Sequence, residues 1–231
     1  MHQASLQDQC ELGQRQLMDM DYLAAEATLS VAERLAWDAR DFDALARLYM
    51  PLQEARRQRR QRCGEGPIRQ FISFAAPAAA ILTDFSQGQL IVAADASLAP
   101  ATELRRLANQ RRLYVDVFLA AAYPHHGETT IVIAPLPDSP LPPLHTPSLR
   151  FALPPHCVIL SARECAAITS YSDTMSVWER LHAPFMAAAD AIKNDPIRQI
   201  ESYRLALEVD YACELAHQNI SDVAHRLARG Q

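Results

Sequence analysis

The spacing of apolar residues changes twice along this chain of 231 residues, and those changes limit the folds that are open to it. Residues 5–37 place apolar side chains at three- and four-residue steps, which predicts a helical hairpin. From Pro67 the pattern changes to short β-rich runs, and a capping box of Ser161 and Glu164 marks the return to helix. The sequence therefore predicts an α+β fold that is helical at both ends.

Two stretches within the helical ends carry the same arrangement of small and large apolar residues around a turn. Near the N-terminus the residues that carry it are Leu12, Gly13, Asp21, Tyr22, Ala25, Leu29 and Ala32. Near the C-terminus they are Tyr203, Ala206, Leu207, Val209, Asp210 and Cys213. In this arrangement both stretches resemble the tetratricopeptide repeat, a pair of antiparallel helices in which small residues allow close approach. The N-terminal stretch departs from the repeat at Gln9 and Gln16, where aromatic residues are usual.

The resemblance implies an organisation for the whole chain, because a lone repeat cannot bury its own apolar face. We therefore expect the helices of residues 1–64 and 173–231 to pack together, with a small mixed β-sheet domain of residues 65–172 inserted between them. Two alternatives stay open. Either each helical group docks separately on the sheet, or the helices exchange between the protomers of a homo-oligomer such as a dimer.

The resemblance also implies a binding surface, since the first helices of such repeats line a concave groove that holds extended peptides. The positions that match the groove are Cys10, Gln14, Leu17, Gln218, Asp222 and His225. They lack the Lys and Asn residues with which some members of the family grip a terminal carboxylate. The chain is accordingly expected to be a non-enzymatic interaction or scaffold protein with a protein or peptide partner. The alternative for the groove is that the central region of the chain fills it.

The composition removes several classes of function. Lys193 is the only lysine, and the six glycines form no phosphate-binding motif, which opposes nucleotide-dependent and Schiff-base enzymes. The net charge of −5 opposes a nucleic-acid partner, and the arginine run of residues 56–62 is interpreted as a solvated helix end. We expect no cofactor and no metal ion.

Three features of the sequence bear on its compartment. The N-terminus lacks the apolar run of a secretory leader, and the longest apolar runs are too short to span a bilayer. The five cysteines are odd in number and include no CxxC pair, so they are expected to be reduced thiols. These features predict a cytoplasmic protein without membrane insertion.

The central region is predicted to contain several short strands. Residues 78–83 and 89–94 are expected to form a hairpin. A helix that begins at Pro100 then connects 89–94 to a parallel strand over 113–122. Further strands are predicted at 129–134, 149–153 and 157–160, around a proline-rich segment, 135–155, that is interpreted as an ordered wrap or linker rather than a polyproline ligand.

Two prolines are expected to disturb helices at the chain's helical ends. Pro51 is predicted to kink a helix over residues 42–63, because proline removes one backbone hydrogen bond from a helix interior. Pro184 is predicted to split a helical segment over residues 173–192, since the residue before a proline avoids the helical conformation.

A second candidate site lies at the edge of the predicted sheet. If the two parallel strands end together, they bring Asp95 toward a loop that contains paired histidines. The members of this cluster are Asp95, His125, His126 and Glu128. Imidazoles beside carboxylates relay protons or bind metals, which makes a small-molecule-binding or hydrolytic α/β domain the alternative function. In the opposing interpretation Asp95 caps the next helix and the histidines face solvent.

Overall fold

The computed structural model describes residues 5–72, 78–125, 128–146 and 156–230. The chain divides into two compact units. Met1–Arg59 and His182–Gln231 form the first, here called the helical unit, and Arg60–Leu181 forms the second, the sheet unit. Nine helices and a five-stranded mixed sheet lie within the described residues, which confirms the predicted α+β class.

Helices from both ends of the chain make up the helical unit. From the N-terminal end come α1 (Leu6–Met18), α2 (Tyr22–Asp38) and the greater part of α3 (Phe42–Gly64). From the C-terminal end come the last part of α7 (Tyr171–Asp190), α8 (Pro196–Val209) and α9 (Glu214–Ala228). No helix among the described residues is both long enough and apolar enough to cross a membrane.

Several of these helices begin at a side-chain oxygen that accepts a free backbone N–H. Ser5 and Asp8 form a capping box at the start of α1. The carboxylates of Asp21, Asp41 and Asp195 accept from the residue three positions later, at 3.3, 2.9 and 3.0 Å. Such caps are each worth about 1 kcal/mol, so the short turns between helices are set by local sequence.

A single apolar core joins the two ends of the chain in the helical unit. Leu29 and Leu45 from the N-terminal end share it with Ile200 and Ile220 from the C-terminal end. The Ser221 hydroxyl of α9 also donates a 2.8 Å hydrogen bond to the Ala46 carbonyl of α3. Helices from both termini therefore pack together, as the predicted fold required.

The sheet unit is built on strands in the order in which they occur along the chain. They are β1 (Ile68–Ile72), β2 (Gln87–Asp95), β3 (Tyr114–His125), β4 (Glu128–Ile133) and β5 (Val158–Ser161). The first three strands are parallel, and β4 and β5 join them antiparallel. Helices α4 (Ala78–Asp84), α5 (Ala99–Gln110) and α6 (Ala162–Ala166) complete the unit with the first part of α7. The predicted parallel pairing of β2 with β3 across α5 is confirmed.

The predicted hairpin of residues 78–83 and 89–94 is wrong. Residues Ala78–Asp84 form helix α4, and the partner of β2 on that side is β1, which runs parallel to it. The segment is rich in alanine, the strongest helix former, and a short apolar run has no periodicity that separates strand from helix. The strand predicted at 157–160 corresponds to β5, whereas the one predicted at 149–153 lies outside the described residues.

The predicted split of a helix at Pro184 is also wrong. Helix α7 continues through this proline, as α3 continues through Pro51. Side chains on either side of the proline are buried, including Leu181 and Met186, so packing outweighs the loss of one backbone hydrogen bond. The capping box of Ser161 and Glu164 is confirmed at the start of α6.

Candidate functional site

A groove of about 400 Å³ lies between α1 and α3 in the helical unit. Its apolar lining is Leu6, Cys10, Ala44, Leu48 and Pro51. Its polar lining is Ser5, Gln7, Glu11, Gln14, Asp41 and Arg47. We call this surface the α1–α3 groove. An apolar centre with a polar margin is the usual composition of a protein interface.

Local sequence accounts for the walls of this groove. Ser5 and Asp41 are the capping residues that start α1 and α3, and both line it. On α1, Leu6 and Cys10 are four residues apart and turn partly toward the helical core, while Gln7 and Gln14 lie on the exposed side. The helical period thus divides α1 into a packed face and an open face.

Charged groups surround the thiol of Cys10 within the groove. Burial raises the pKa of Cys10; the Arg47 cation opposes that rise, and the Asp41 and Glu11 carboxylates add to it. Arg47 forms a 2.8 Å ion pair with Asp43 one turn earlier, in which both side chains are largely exposed. The Gln7 amide donates a 2.8 Å hydrogen bond to Glu11. The groove therefore holds carboxylates on both of its walls.

The structure brings together only part of the groove predicted from the repeat resemblance. Cys10 and Gln14 line the α1–α3 groove, and Leu17 packs partly buried against the helical core. The other three positions, Gln218, Asp222 and His225, are exposed on one side of α9 and are not among the residues that line the groove.

Helix α9 packs through its buried face, which includes His217 and Ser221 but none of these three residues. Ser221 contacts Ala46 of α3, whereas His217, one turn earlier in α9, lies 3.2 Å from Arg56, nearly three turns later in α3. The two helices therefore run antiparallel.

The cluster of histidines and carboxylates is divided in the sheet. Asp95, at the end of β2, pairs in register with Ala122, and His125 lies three residues further along β3, opposite Glu128. At about 3.3 Å per residue, that offset is roughly 10 Å. His126 and the side chain of His125 lie outside the described residues. Asp95 and Glu128 are both exposed.

A second cavity, of about 620 Å³, lies just after β2 in the sheet unit. Its polar lining is Ser97, Thr102, Glu103 and Ser139. Ligands favour this carboxyl edge of a parallel sheet. The described lining residues include neither a histidine nor a cysteine. Ser97, rather than Asp95, accepts the first backbone N–H of α5.

A buried polar cluster in the helical unit was not foreseen from the sequence. Glu33 of α2 accepts a 2.8 Å hydrogen bond from the Tyr49 hydroxyl and forms a 2.9 Å ion pair with Arg204. Arg56 donates to Nε2 of His217, whose Nδ1 donates to the Cys213 carbonyl at 2.8 Å. Burial, followed by the Arg56 cation, lowers the pKa of His217 to about 3.

These contacts join residues that are far apart in sequence, which is why no local pattern announced them. Arg56 and His217 are 161 positions apart, and Glu33 and Arg204 are 171 apart. Glu33 and the other four residues of this cluster, Tyr49, Arg56, Arg204 and His217, each have an ion-pair or hydrogen-bond partner within the protein. The cluster links α2, α3, α8 and α9. We assign it to stability.

His182 forms a second buried pair in the helical unit. Its Nδ1 lies 2.8 Å from a carboxylate oxygen of Asp210, a side chain that is almost fully buried. Burial by itself would lower the pKa of His182, but hydrogen bonds with Asp210 and Cys213 and the charge on Asp210 raise it to about 10. The imidazolium therefore neutralises a carboxylate at the turn between α8 and α9.

The arginine run is not the solvated helix end that the sequence suggested. Arg56 and Arg59 both pair with Glu26, at 3.4 and 2.8 Å, and their side chains are mostly buried. Arg60 pairs with Asp116 at 2.7 Å, with both side chains only 2% exposed. The exposed pairs are Arg57 with Glu54 and Arg62 with Glu65. Each arginine of the run thus has a carboxylate partner within the protein.

No protein-family model matches this chain, and no curated protein or solved structure matches it significantly. The tetratricopeptide resemblance therefore stays a prediction. Within the described ranges, no three His, Cys, Asp or Glu side chains are placed to hold a metal ion.

Proposed function

We propose that the helical unit is a protein-interaction module that binds an extended segment of a partner protein in the α1–α3 groove. The observation that supports this most directly is the groove itself, which has an apolar floor, a polar margin and two of the residues that the repeat resemblance assigned to peptide binding, Cys10 and Gln14. The protein acts in this proposal as a scaffold rather than as an enzyme.

The dimensions of the groove support a short extended segment. From Ser5 to Gln14, α1 rises by about 14 Å, which corresponds to roughly four residues of extended chain. An extended segment would place alternate side chains on the apolar floor.

A pair of tryptophan substitutions on α1 tests the proposal. Gln14 and Arg15 are adjacent and exposed, but only Gln14 lines the groove. A phage-displayed random peptide library is panned on the full chain, and the affinity of the enriched peptides is measured by fluorescence anisotropy. Gln14→Trp should weaken binding at least about tenfold by filling the groove, and the control Arg15→Trp should leave it nearly unchanged.

Two results would contradict the proposed function. One is that no peptide is enriched on the folded chain. The other is that the enriched peptides bind the Gln14→Trp variant as tightly as the unsubstituted protein, which would place their site elsewhere.

A second candidate function is supported by the cavity after β2. An open depression of about 620 Å³ lies at the carboxyl edge of the parallel strands, the edge at which ligands of such sheets bind. Hydroxyl groups of Ser97, Thr102 and Ser139 would supply hydrogen bonds to such a ligand. Crystals soaked with a fragment library would test it: a fragment bound between Ser97 and Ser139 supports the site, and fragments bound only in other places oppose it.

A further inference from the structure

We infer that the α1–α3 groove selects a partner segment that carries a cationic side chain, Lys or Arg, which binds between the carboxylates of Glu11 and Asp41. This inference rests on the proposed function, because it names the chemistry of the segment that the groove would hold.

The two carboxylates lie on opposite walls of the groove. Glu11 extends from α1, and Asp41 stands at the start of α3. Both carboxylates act electrostatically on the Cys10 thiol in the groove, and so does the Arg47 cation, with the opposite sign and a larger effect than either. Glu11 receives its hydrogen bond from an uncharged amide, and Asp41 from a backbone N–H, so neither bond supplies a neutralising cation.

Arg47, the one cation among the described lining residues, already has a counter-ion. Its guanidinium pairs with Asp43 on the same helix and also donates to the Asp43 carbonyl. Counted with Asp43, the described charged side chains at the groove are three carboxylates and one cation, an excess of negative charge. A cationic side chain of the partner would offset that excess.

The net negative charge of the helical unit also favours a cationic partner segment. The helical unit contains 17 Asp and Glu against 12 Arg and Lys, whereas the sheet unit contains 10 of each. The net charge of −5 is therefore carried by the unit that contains the groove. A field of this sign steers a basic segment toward its site and opposes an acidic one.

The test compares two versions of the full chain in the peptide-library experiment. The variant Glu11→Gln with Asp41→Asn removes both charges but keeps the side-chain shapes, and Asn caps a helix about as well as Asp. On the unsubstituted protein, enriched peptides should contain Lys or Arg well above the frequency in the starting library. The most enriched basic peptide should bind the double variant roughly three- to tenfold more weakly.

Two single substitutions separate the local charges from the overall field. Arg47→Gln releases Asp43 and should tighten binding of the basic peptide about two- to threefold. Glu201→Gln removes one charge from an exposed position on α8, outside the groove, and should change the affinity far less than Glu11→Gln does. Circular dichroism verifies that each variant is folded.

The possible results distinguish the two proposals. Suppose that Gln14→Trp blocks peptide binding, but the peptides show no excess of Lys and Arg or bind the double variant as tightly as the unsubstituted protein. The inference is then wrong, and the proposed function stands. If no peptide depends on the groove, both are wrong.

Discussion

Two histidines of the helical unit are held in opposite protonation states by their immediate neighbours. His217 accepts from the Arg56 guanidinium and is fully buried, which favours the neutral imidazole and lowers its pKa to about 3. His182 faces the Asp210 carboxylate, which favours the imidazolium and raises its pKa to about 10. Both side chains are buried to a large extent, so the sign of the partner decides the difference.

The pH dependence of stability should reveal the state of His217. The pKa of His217 is lower in the folded protein than its value of 6.5 in the unfolded chain. Its contribution to the free energy of unfolding is therefore complete above pH 6.5 and is lost as the pH falls toward 3. The loss should reach about 3 kcal/mol at pH 4. Urea unfolding between pH 7 and pH 4 measures it, and His217→Gln should flatten the slope in this range.

His182→Gln is the matched control for that experiment. The raised pKa of His182 makes its contribution to the free energy of unfolding complete below pH 6.5 and lost as the pH rises through about 10, so this variant should remove the slope above pH 6.5. If His217→Gln leaves the pH dependence of the free energy of unfolding between pH 7 and pH 4 unchanged, the imidazole of His217 is not buried in its neutral form.

At the scale of elements, the contact between α1 and α2 depends on a glycine. A Cβ atom at Gly13 would lie 2.6 Å from the Cγ of Leu29, a fully buried residue of α2. The two helices can therefore approach closely only because position 13 has no side chain. This is the packing that the small residues of the sequence predicted for the N-terminal hairpin.

Gly13→Ala should destabilise the protein even though alanine favours helix by about 1 kcal/mol. Overpacking costs about 1–3 kcal/mol, so a net loss of up to about 2 kcal/mol is expected in the free energy of unfolding, measured with urea. Arg15→Ala, at an exposed position of the same helix, should be nearly neutral.

A double-mutant cycle with Leu29→Ala identifies the clash. The loss caused by Gly13→Ala should shrink when Leu29 is already shortened. A stabilising effect of Gly13→Ala in the unsubstituted protein would mean that α1 and α2 are further apart than the structure shows.

At the scale of the whole molecule, the helical unit is discontinuous in sequence. Its core takes Leu29 and Leu45 from one end of the chain and Ile200, Tyr203 and Ile220 from the other. Neither set can form this core without the other, because each supplies only one side of it. The ends are therefore expected to fold cooperatively.

Deletion of residues 196–231 tests this cooperation. The truncated protein should lose hydrogen-exchange protection in α1 and α2, since it lacks the apolar side chains that cover them. Mass spectrometry of the exchanged chain gives the protection, with strand β3 of the sheet unit as an internal reference. Full protection of residues 6–38 in a monomeric truncated protein would contradict a shared core.

Much of the secondary structure could be predicted because its causes act within a few residues. Three- and four-residue spacing predicted α1 and α2, and a proline start with one apolar face predicted α5 between parallel strands. The Ser161 and Glu164 capping box was visible for the same reason. For the candidate site, the repeat pattern led to Cys10 and Gln14, which lie on the predicted face of a regular helix.

Only the tertiary structure decided the features that depend on distant partners. Helix α7 continues through Pro184 because side chains on both sides of it are buried. Helix α9 contacts α3 through Ser221 and His217, so Gln218, Asp222 and His225 lie on its exposed face and not in the groove. The physical reason is the range of the interactions. The backbone hydrogen bonds and caps of a helix join residues about four positions apart, whereas burial of a side chain depends on residues that can be more than 100 positions away in the sequence.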